Sequence, residues 1–225
     1  MDTFIKELHN LKIEDEVTLF HDYTIVVNHD EYAGDPREWD NLGTMVCFHR
    51  RYNLGDNHGF ETPNVFFHVL SGLYPEVATM DLTNEQLERC KTVAHEKNII
   101  LPLYLYDHSG ITMNTTGFSC PWDSGQVGCI YVSKEDVRRE FNVSRVSNKL
   151  EERIRNMLVA EVETYDQYLC GKVYCYSIEK DGENVDCCCG FYGDPNESGL
   201  LENIIAAIEY DYINNPQQLE MFATA

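Results

Sequence analysis

Cations are scarce in this chain. Lys and Arg number 17 against 38 Asp and Glu, which gives a formal net charge of −21 and a sequence pI near 4.6. A field of that sign repels nucleic acid and anionic membranes and attracts basic surfaces. No apolar run approaches the roughly 20 residues that a membrane span needs. The opening stretch, MDTFIKELHNLKIEDEV, has no basic leader and no long apolar segment, so no export signal is expected and the expected compartment is the cytoplasm.

Several chemical signatures are also missing. The glycine-rich phosphate loops GxxxxGK[ST] and GxGxxG are absent, as are the GxSxG elbow, HExxH and the zinc-deaminase pattern. There is no CxxC pair, the usual source of structural zinc ligands. The nine cysteines read as reduced thiols rather than as a disulfide framework. Cys187, Cys188 and Cys189 are adjacent, and strand alternation would send the middle one to the opposite face, so neither a metal site nor a cofactor is expected. The acidic turn from Asp30 to Asp40 does not match an EF-hand loop and suits at most a weak cation.

What remains is a chain able to bury a core, with 43% apolar and 12% aromatic residues. Its 225 residues suit a single domain over 1–225, with an acidic subregion over 145–225. Seven cations gather between Lys134 and Arg155, whereas from Met157 onward only Lys172 and Lys180 oppose thirteen acidic residues.

Periodicity supplies the elements. Val17–Asn28 reads as a strand or bent pair. Trp39 is expected to pack and Asp40–Gly43 to turn. Thr44–Tyr52 reads as a strand with Thr44, Val46, Phe48 and Tyr52 on one face and Met45, Cys47, His49 and Arg51 on the other. A short helix follows over Asn64–Tyr74, interrupted by Gly72. A second helix opens on the capping box Thr83–Gln86, runs to about Lys97 and turns Leu87, Cys90 and Ala94 inward.

Ile99–Tyr106 reads as a strand whose Pro102 demands an open side or an end, and Ile111–Gly117 as its return. Val127–Ser133 is the next strand, and Ser133 caps a short helix. The best-determined element is a helix from Ser147 to Leu169 with a stripe of Leu150, Ile154, Met157, Leu158, Tyr165 and Tyr168, closed by Gly171. A hairpin turning at Asp181-Gly182 follows. It is expected to place Tyr174, Tyr176, Ile178, Val185, Cys187 and Cys189 on one face and Cys175, Ser177, Asp186 and Cys188 on the other. Ser198 is the expected cap of a final helix with Leu201, Ile204, Ile205 and Ile208 inward. The fold class is α+β: a mixed or antiparallel sheet with packed helices, and one long amphipathic helix leading into a hairpin and a C-terminal helix.

Candidate chemistry is sparse. Nucleophilic catalysis needs a Ser or Cys beside a His with an orienting acid. His49, Asp107, His108, Cys120, Asp123 and Ser124 supply the types without a recognised spacing. Glu161 lies 20° from Leu150 around the helix, inside the apolar stripe, so it must find a cation or hydroxyls. Arg51 and tyrosine hydroxyls are the expected partners, in a structural core pair rather than a tuned acid. The His49-Arg50-Arg51 run alternates faces and is assigned to pairing with nearby carboxylates.

Three stretches, PREWDNLGTMVCFHRRYNLGD, LPLYLYDHSGITMNTTGFSCPWDSGQVGCIYVS and EVETYDQYLCGKVYCY, together resemble a group of acidic proteins encoded in bacteriophage, plasmid and other mobile-element genomes. The resemblance spans most of Pro36 to Tyr192 and carries no catalytic residues with it. It implies a gene that must survive host defences, in the cytoplasm of a host bacterial cell. Combined with the charge, it points to an inhibitor that occupies the basic nucleic-acid channel of a host defence effector, of anti-CRISPR or anti-restriction type, and binds no nucleic acid itself. Glu152, Glu163 and Asp166 on the long helix and Glu179, Asp181, Glu183 and Asp186 on the hairpin are the expected partner-binding residues. The alternative is a small hydrolase or nucleotide-processing enzyme with a pocket near His49, Asp107, His108, Asp123 and Glu161.

Overall fold

A computed structural model describes residues 16–19 and 23–214. Among the described residues, five α-helices and two antiparallel four-stranded sheets make the fold α+β. The chain divides into two compact units, one of residues 1–34 and 170–225 and one of residues 35–169. The acidic stretch 145–225 therefore contributes to both. Among the described residues no helix is long and apolar enough to cross a membrane.

The larger unit holds β3 to β6. Its sheet runs β3 (Thr44–Cys47), β6 (Ser124–Ser133), β4 (Asn98–Asp107), β5 (Ile111–Asn114). The apolar residues of β3, β4 and β6 divide between two cores. Met45, Cys47, Ile99, Leu103 and Ile130 pack with Ile154, Leu158, Val162 and Tyr165 of α4 (Asn148–Leu169). Val46, Ile100 and Cys129 pack with Phe66 of α1 (Pro63–Ser71) and Ala94 of α2 (Asn84–Lys97). Met45 and Cys47 lie on one face and Val46 on the other, as alternation expects, and all three are buried because the sheet is covered on both faces. The expected strand Thr44–Tyr52 ends at Cys47. His49 Nδ1 accepts from the amides of Arg51 and Tyr52, at 3.4 and 3.2 Å, and this local turn ends the ladder.

Local signals held where local chemistry decides. Thr83 and Gln86 form the reciprocal capping box of α2. The helix expected over Asn64–Tyr74 ends at Ser71, where Gly72, with φ +63, closes α1. Ser133 caps α3 (Lys134–Glu140) by accepting from Asp136 N. Beyond β5, which pairs only with Tyr104–Asp107, β4 has β6 as its single neighbour, so Pro102 has the open side its missing N–H requires.

The smaller unit has the sheet order β1 (Glu16–Leu19), β2 (Tyr23–His29), β7 (Val173–Lys180), β8 (Glu183–Tyr192). The expected element over Val17–Asn28 is the antiparallel pair β1–β2, with residues 20–22 outside the described residues. Tyr23, Ile25, Val27, Tyr174, Tyr176 and Ile178 form one core with Leu200, Leu201, Ile204 and Ile208 of α5 (Leu200–Asn214). Ser198 does not cap that helix. Its Oγ is buried without a hydrogen-bond partner, and the helix begins after Gly199.

The hairpin turns as expected, with Asp181 at φ +52 and Gly182 at φ +79, the left-handed pair of a type I′ turn. Its faces differ from simple alternation. Register shifts leave Ile178 opposite Asp186 while Glu179 opposes Asn184, so Val185 is an extra residue. Residues 186–188 beyond this bulge change face, and a second register shift between Tyr174 and Tyr176 returns Phe191 and Tyr192 to the face that simple alternation gives. Cys188 and Asp186 therefore share the side of Tyr176 and Ile178, and Cys187 opposes Ser177.

Gly128 shows how closely β3 and β6 approach. A Cβ there would lie 1.9 Å from the Val46 carbonyl oxygen. Gly128→Ala should therefore lower the urea-unfolding free energy by about 3 kcal/mol or more. Gly125→Ala, with nothing within 4 Å, should stay within about 0.5 kcal/mol of the parent protein.

Candidate functional site

The most highly connected polar cluster of the larger unit centres on Arg37, whose side chain is only 4% exposed. Asp35 caps the short turn Pro36–Glu38 by accepting from Arg37 N and thereby sets the start of that side chain. The guanidinium donates from Nε and Nη2 to both oxygens of Asp56, at 2.9 and 2.8 Å, in the fork geometry that suits a carboxylate. Nη1 reaches Glu161 Oε2 at 3.1 Å and Nη2 also donates to Gly43 O at 2.7 Å.

Two carboxylates against one guanidinium leave an excess negative charge, which backbone amides answer. Glu161 accepts from Leu42 N and Gly43 N, at 2.9 and 3.1 Å, and Asp56 from Met45 N at 2.7 Å. Burial opposes the charged guanidinium, but Asp56 and then Glu161 outweigh it and hold the Arg37 pKa above its ordinary value. Glu161 is thus the inward carboxylate that helix geometry indicated, but its partner is Arg37 and not Arg51. Each of its oxygens is committed, which is the arrangement of a structural clamp. Trp39, expected to pack, is instead 50% exposed.

The residues of the enzymatic alternative form two exposed pairings. Arg51 bridges to Asp107, which also accepts from Tyr52 Oη at 3.3 Å. His108 Nδ1 lies 3.3 Å from Asp123 Oδ2, and Cys120 Sγ donates to the same oxygen at 3.7 Å. The orienting acid is therefore present, but Cys120 contacts the acid and not the imidazole, so no nucleophile–base pair is formed. The His108 side chain is 62% exposed, and water at that site screens the electrostatics on which acid–base chemistry depends. His49 caps its own turn. Glu161 belongs to the Arg37 cluster. Among the described residues no group of three or more His, Cys, Asp or Glu side chains is arranged to hold a metal ion. In the acidic turn, Asp30 accepts from Tyr32 N and Gly190 N, and Asp35 from Arg37 N.

The carboxylates assigned to partner binding divide between the units. In the larger unit, Glu152 and Glu163 are exposed, but eleven residues of helix separate them by about 16 Å. Glu152 also shares its groove with Lys149 and Arg153. Asp166 turns inward and accepts from Thr112 Oγ1 and Met113 N, at 2.7 and 2.6 Å, pinning β5 to α4. It is a structural residue and does not belong to an outward-facing anionic surface.

In the smaller unit, Glu179, Asp181 and Glu183 are exposed around the hairpin turn, and Asp186 accepts from Tyr176 Oη at 2.7 Å. The sequence of this unit holds 18 acidic and 4 basic residues, a formal −14, whereas the larger unit holds 20 and 13, a formal −7. Of its described cations, Lys180 is turned inward at 8% exposure. Its Nζ lies 4.4 Å from the centre of the Tyr23 ring, donates to Tyr23 Oη at 3.2 Å and sits 3.8 Å from Asp211. Burial and the hydrogen bond to Asp211 push the Tyr23 hydroxyl well above its usual pKa, so it stays neutral beside that carboxylate. Lys172 is then the one exposed cation among this unit's described residues, against exposed Glu31, Glu179, Asp181, Glu183, Asp194, Glu197, Glu202 and Glu209.

Arg37, Asp56 and Lys180 were not singled out from sequence. Arg37 carries a weak local signal, as an arginine that follows Asp-Pro in an acid-rich turn. Asp56 carries none. Arg37→Met should lower the unfolding free energy by about 3–5 kcal/mol, because two carboxylates lose their cation. Arg37→Lys should recover only part of this, since an ammonium cannot span the fork. Urea titration followed by circular dichroism checks both. No protein-family model, curated protein or solved structure matches the chain.

Proposed function

We propose that the chain is a mobile-element-encoded inhibitor whose smaller unit docks into the basic nucleic-acid channel of a host defence complex of anti-CRISPR or anti-restriction type. The observation that supports this most directly is the sign of that unit's exposed charge: eight exposed carboxylates and one exposed cation among its described residues. The internal use of Lys180 keeps it so. The resemblance of three long stretches to phage- and plasmid-encoded proteins supplies the context in which such a surface would be useful.

The physics of the interaction is simple. A channel that binds duplex DNA is lined with Lys and Arg to meet about one negative charge per 1.7 Å of axis. Carboxylates held on a folded hairpin lose little freedom when they replace that polyanion. Glu179 and Glu183 flank a two-residue turn in the left-handed conformation and Asp181 is its first residue, so the tip presents its charges on a folded frame. Long-range attraction speeds association, and added salt screens it.

The test starts with capture of a nucleic-acid-handling complex from bacterial lysate on the immobilised protein, followed by competition against duplex DNA with purified components. Inhibition should be stoichiometric and should weaken steeply between 50 and 300 mM salt, on the order of tenfold or more. The triple variant Glu179→Lys, Asp181→Asn, Glu183→Lys should weaken binding by at least about tenfold. Asn is chosen at the turn because it tolerates a positive φ. His49→Ala and Asp107→Ala should leave binding unchanged. Substoichiometric turnover that those two substitutions abolish, with the triple variant fully active, would replace the proposal with the enzymatic alternative.

A further inference from the structure

Four of the nine cysteines lie on the β7–β8 hairpin, and two of them are placed to react with each other. Tyr174 opposes Phe191 and Tyr176 opposes Cys188, so Cys175 alone faces the two residues Cys189 and Gly190, a bulge of one extra residue. Cys175 is also among the groups whose proximity raises the Cys189 thiol. Neighbouring antiparallel strands bring facing Cα atoms to about 4.5–5.5 Å, inside the range of about 4.4–6.8 Å that a disulfide spans. We propose that Cys175 and Cys189 are a reversible dithiol–disulfide pair, oxidised by exchange with a low-molecular-weight disulfide.

The neighbouring thiols are placed differently. Cys188 shares the register position of Tyr176, and its Sγ donates to the Cys189 carbonyl oxygen at 3.7 Å. Cys187 opposes Ser177, which has no sulfur. Access favours Cys189 as the first site of attack, because it is exposed whereas Cys175 is half-buried and donates toward the carbonyls of Asn28 and His29. Burial, Cys175, Asp30 and Cys188 push the Cys189 thiol up to about 11. At neutral pH the Cys189 thiol is therefore protonated, and its attack proceeds through a small thiolate fraction.

The steps balance. Cys189, as thiolate, attacks one sulfur of the small disulfide, breaking its S–S bond and releasing one small thiolate. Cys175, deprotonated in turn, attacks the Cys189 sulfur of the mixed disulfide and expels the second. Two protein thiols are oxidised, one small disulfide is reduced to two thiols, and the two thiol protons end on those products. The inference is independent of the docking proposal, since it concerns the hairpin's chemistry whatever the protein binds.

The full chain is treated with cystamine, a cationic disulfide suited to the negative field of this unit, at pH 8.5. It is then alkylated, digested and read by mass spectrometry. The expected product is a Cys175–Cys189 cross-linked peptide, about 2 Da lighter than its two thiol halves, restored by dithiothreitol. In Cys175→Ser the cysteamine adduct should persist on Cys189, because the resolving thiol is gone. The unaltered protein decides the matter even if a variant misfolds. A stable Cys189 adduct without cross-link, or links from Cys187 or Cys188 as frequent as that from Cys175, would overturn the assignment.

Discussion

One guanidinium joins segments of the larger unit that are remote in sequence. Arg37 reaches Glu161 across 124 positions of sequence and Asp56 across 19, and the same carboxylates gather the amides of Leu42, Gly43 and Met45. The loop before β3 is thereby held against α4, and the Gly55–Asp56 segment is held beside β3. Burying a charge is costly, several kcal/mol per ion after relaxation, and the cost is offset only when the remaining lone pairs and protons are satisfied. Here they are. The apolar layers on both faces of the sheet provide the bulk of the burial, while the ion cluster selects which loop lies over which helix turn.

The smaller unit uses its charges in the opposite way. Its one described buried cation, Lys180, is consumed by Tyr23 and Asp211, so the core gains a satisfied polar group and the surface loses a positive one. Exposed carboxylates of like sign repel one another, and the sheet and α5 must supply the burial that offsets this. The larger unit, with 13 cations among its 135 residues, interleaves its signs, as Lys149, Glu152 and Arg153 show along α4. Among the described residues, a surface dominated by carboxylates on one unit and a mixed surface on the other is a division of electrostatic character that the whole-chain value of −21 conceals.

Several features were legible from sequence because their causes are local. The Thr83–Gln86 box, the Ser133 cap and the Asp181-Gly182 turn each depend on residues within three or four positions of one another. The inward face of α4 followed from 100° per residue, which also marked Glu161 as buried. Other readings failed for non-local reasons. Glu161 pairs with Arg37 and not with the expected Arg51, because the loop laid over α4 decides which cation reaches it. The hairpin faces are inverted from Asp186 to Cys188 because a bulge is a property of the strand pair and leaves no mark in either strand alone. Asp166 has the angular position of a surface residue, yet β5 comes to meet it.

Period, capping chemistry and turn stereochemistry, all carried by short stretches of the chain, were enough to determine the α+β class, most element boundaries and the inward stripe of α4. The division into two units, the choice of Arg37 over Arg51, the inward turn of Lys180 and the meeting of Cys175 with Cys189 were decided by tertiary structure. The reason is that each depends on which distant backbone segment lies within about 3–4 Å of a given side chain. That distance is set by sheet order and register, and neither is encoded at any single position.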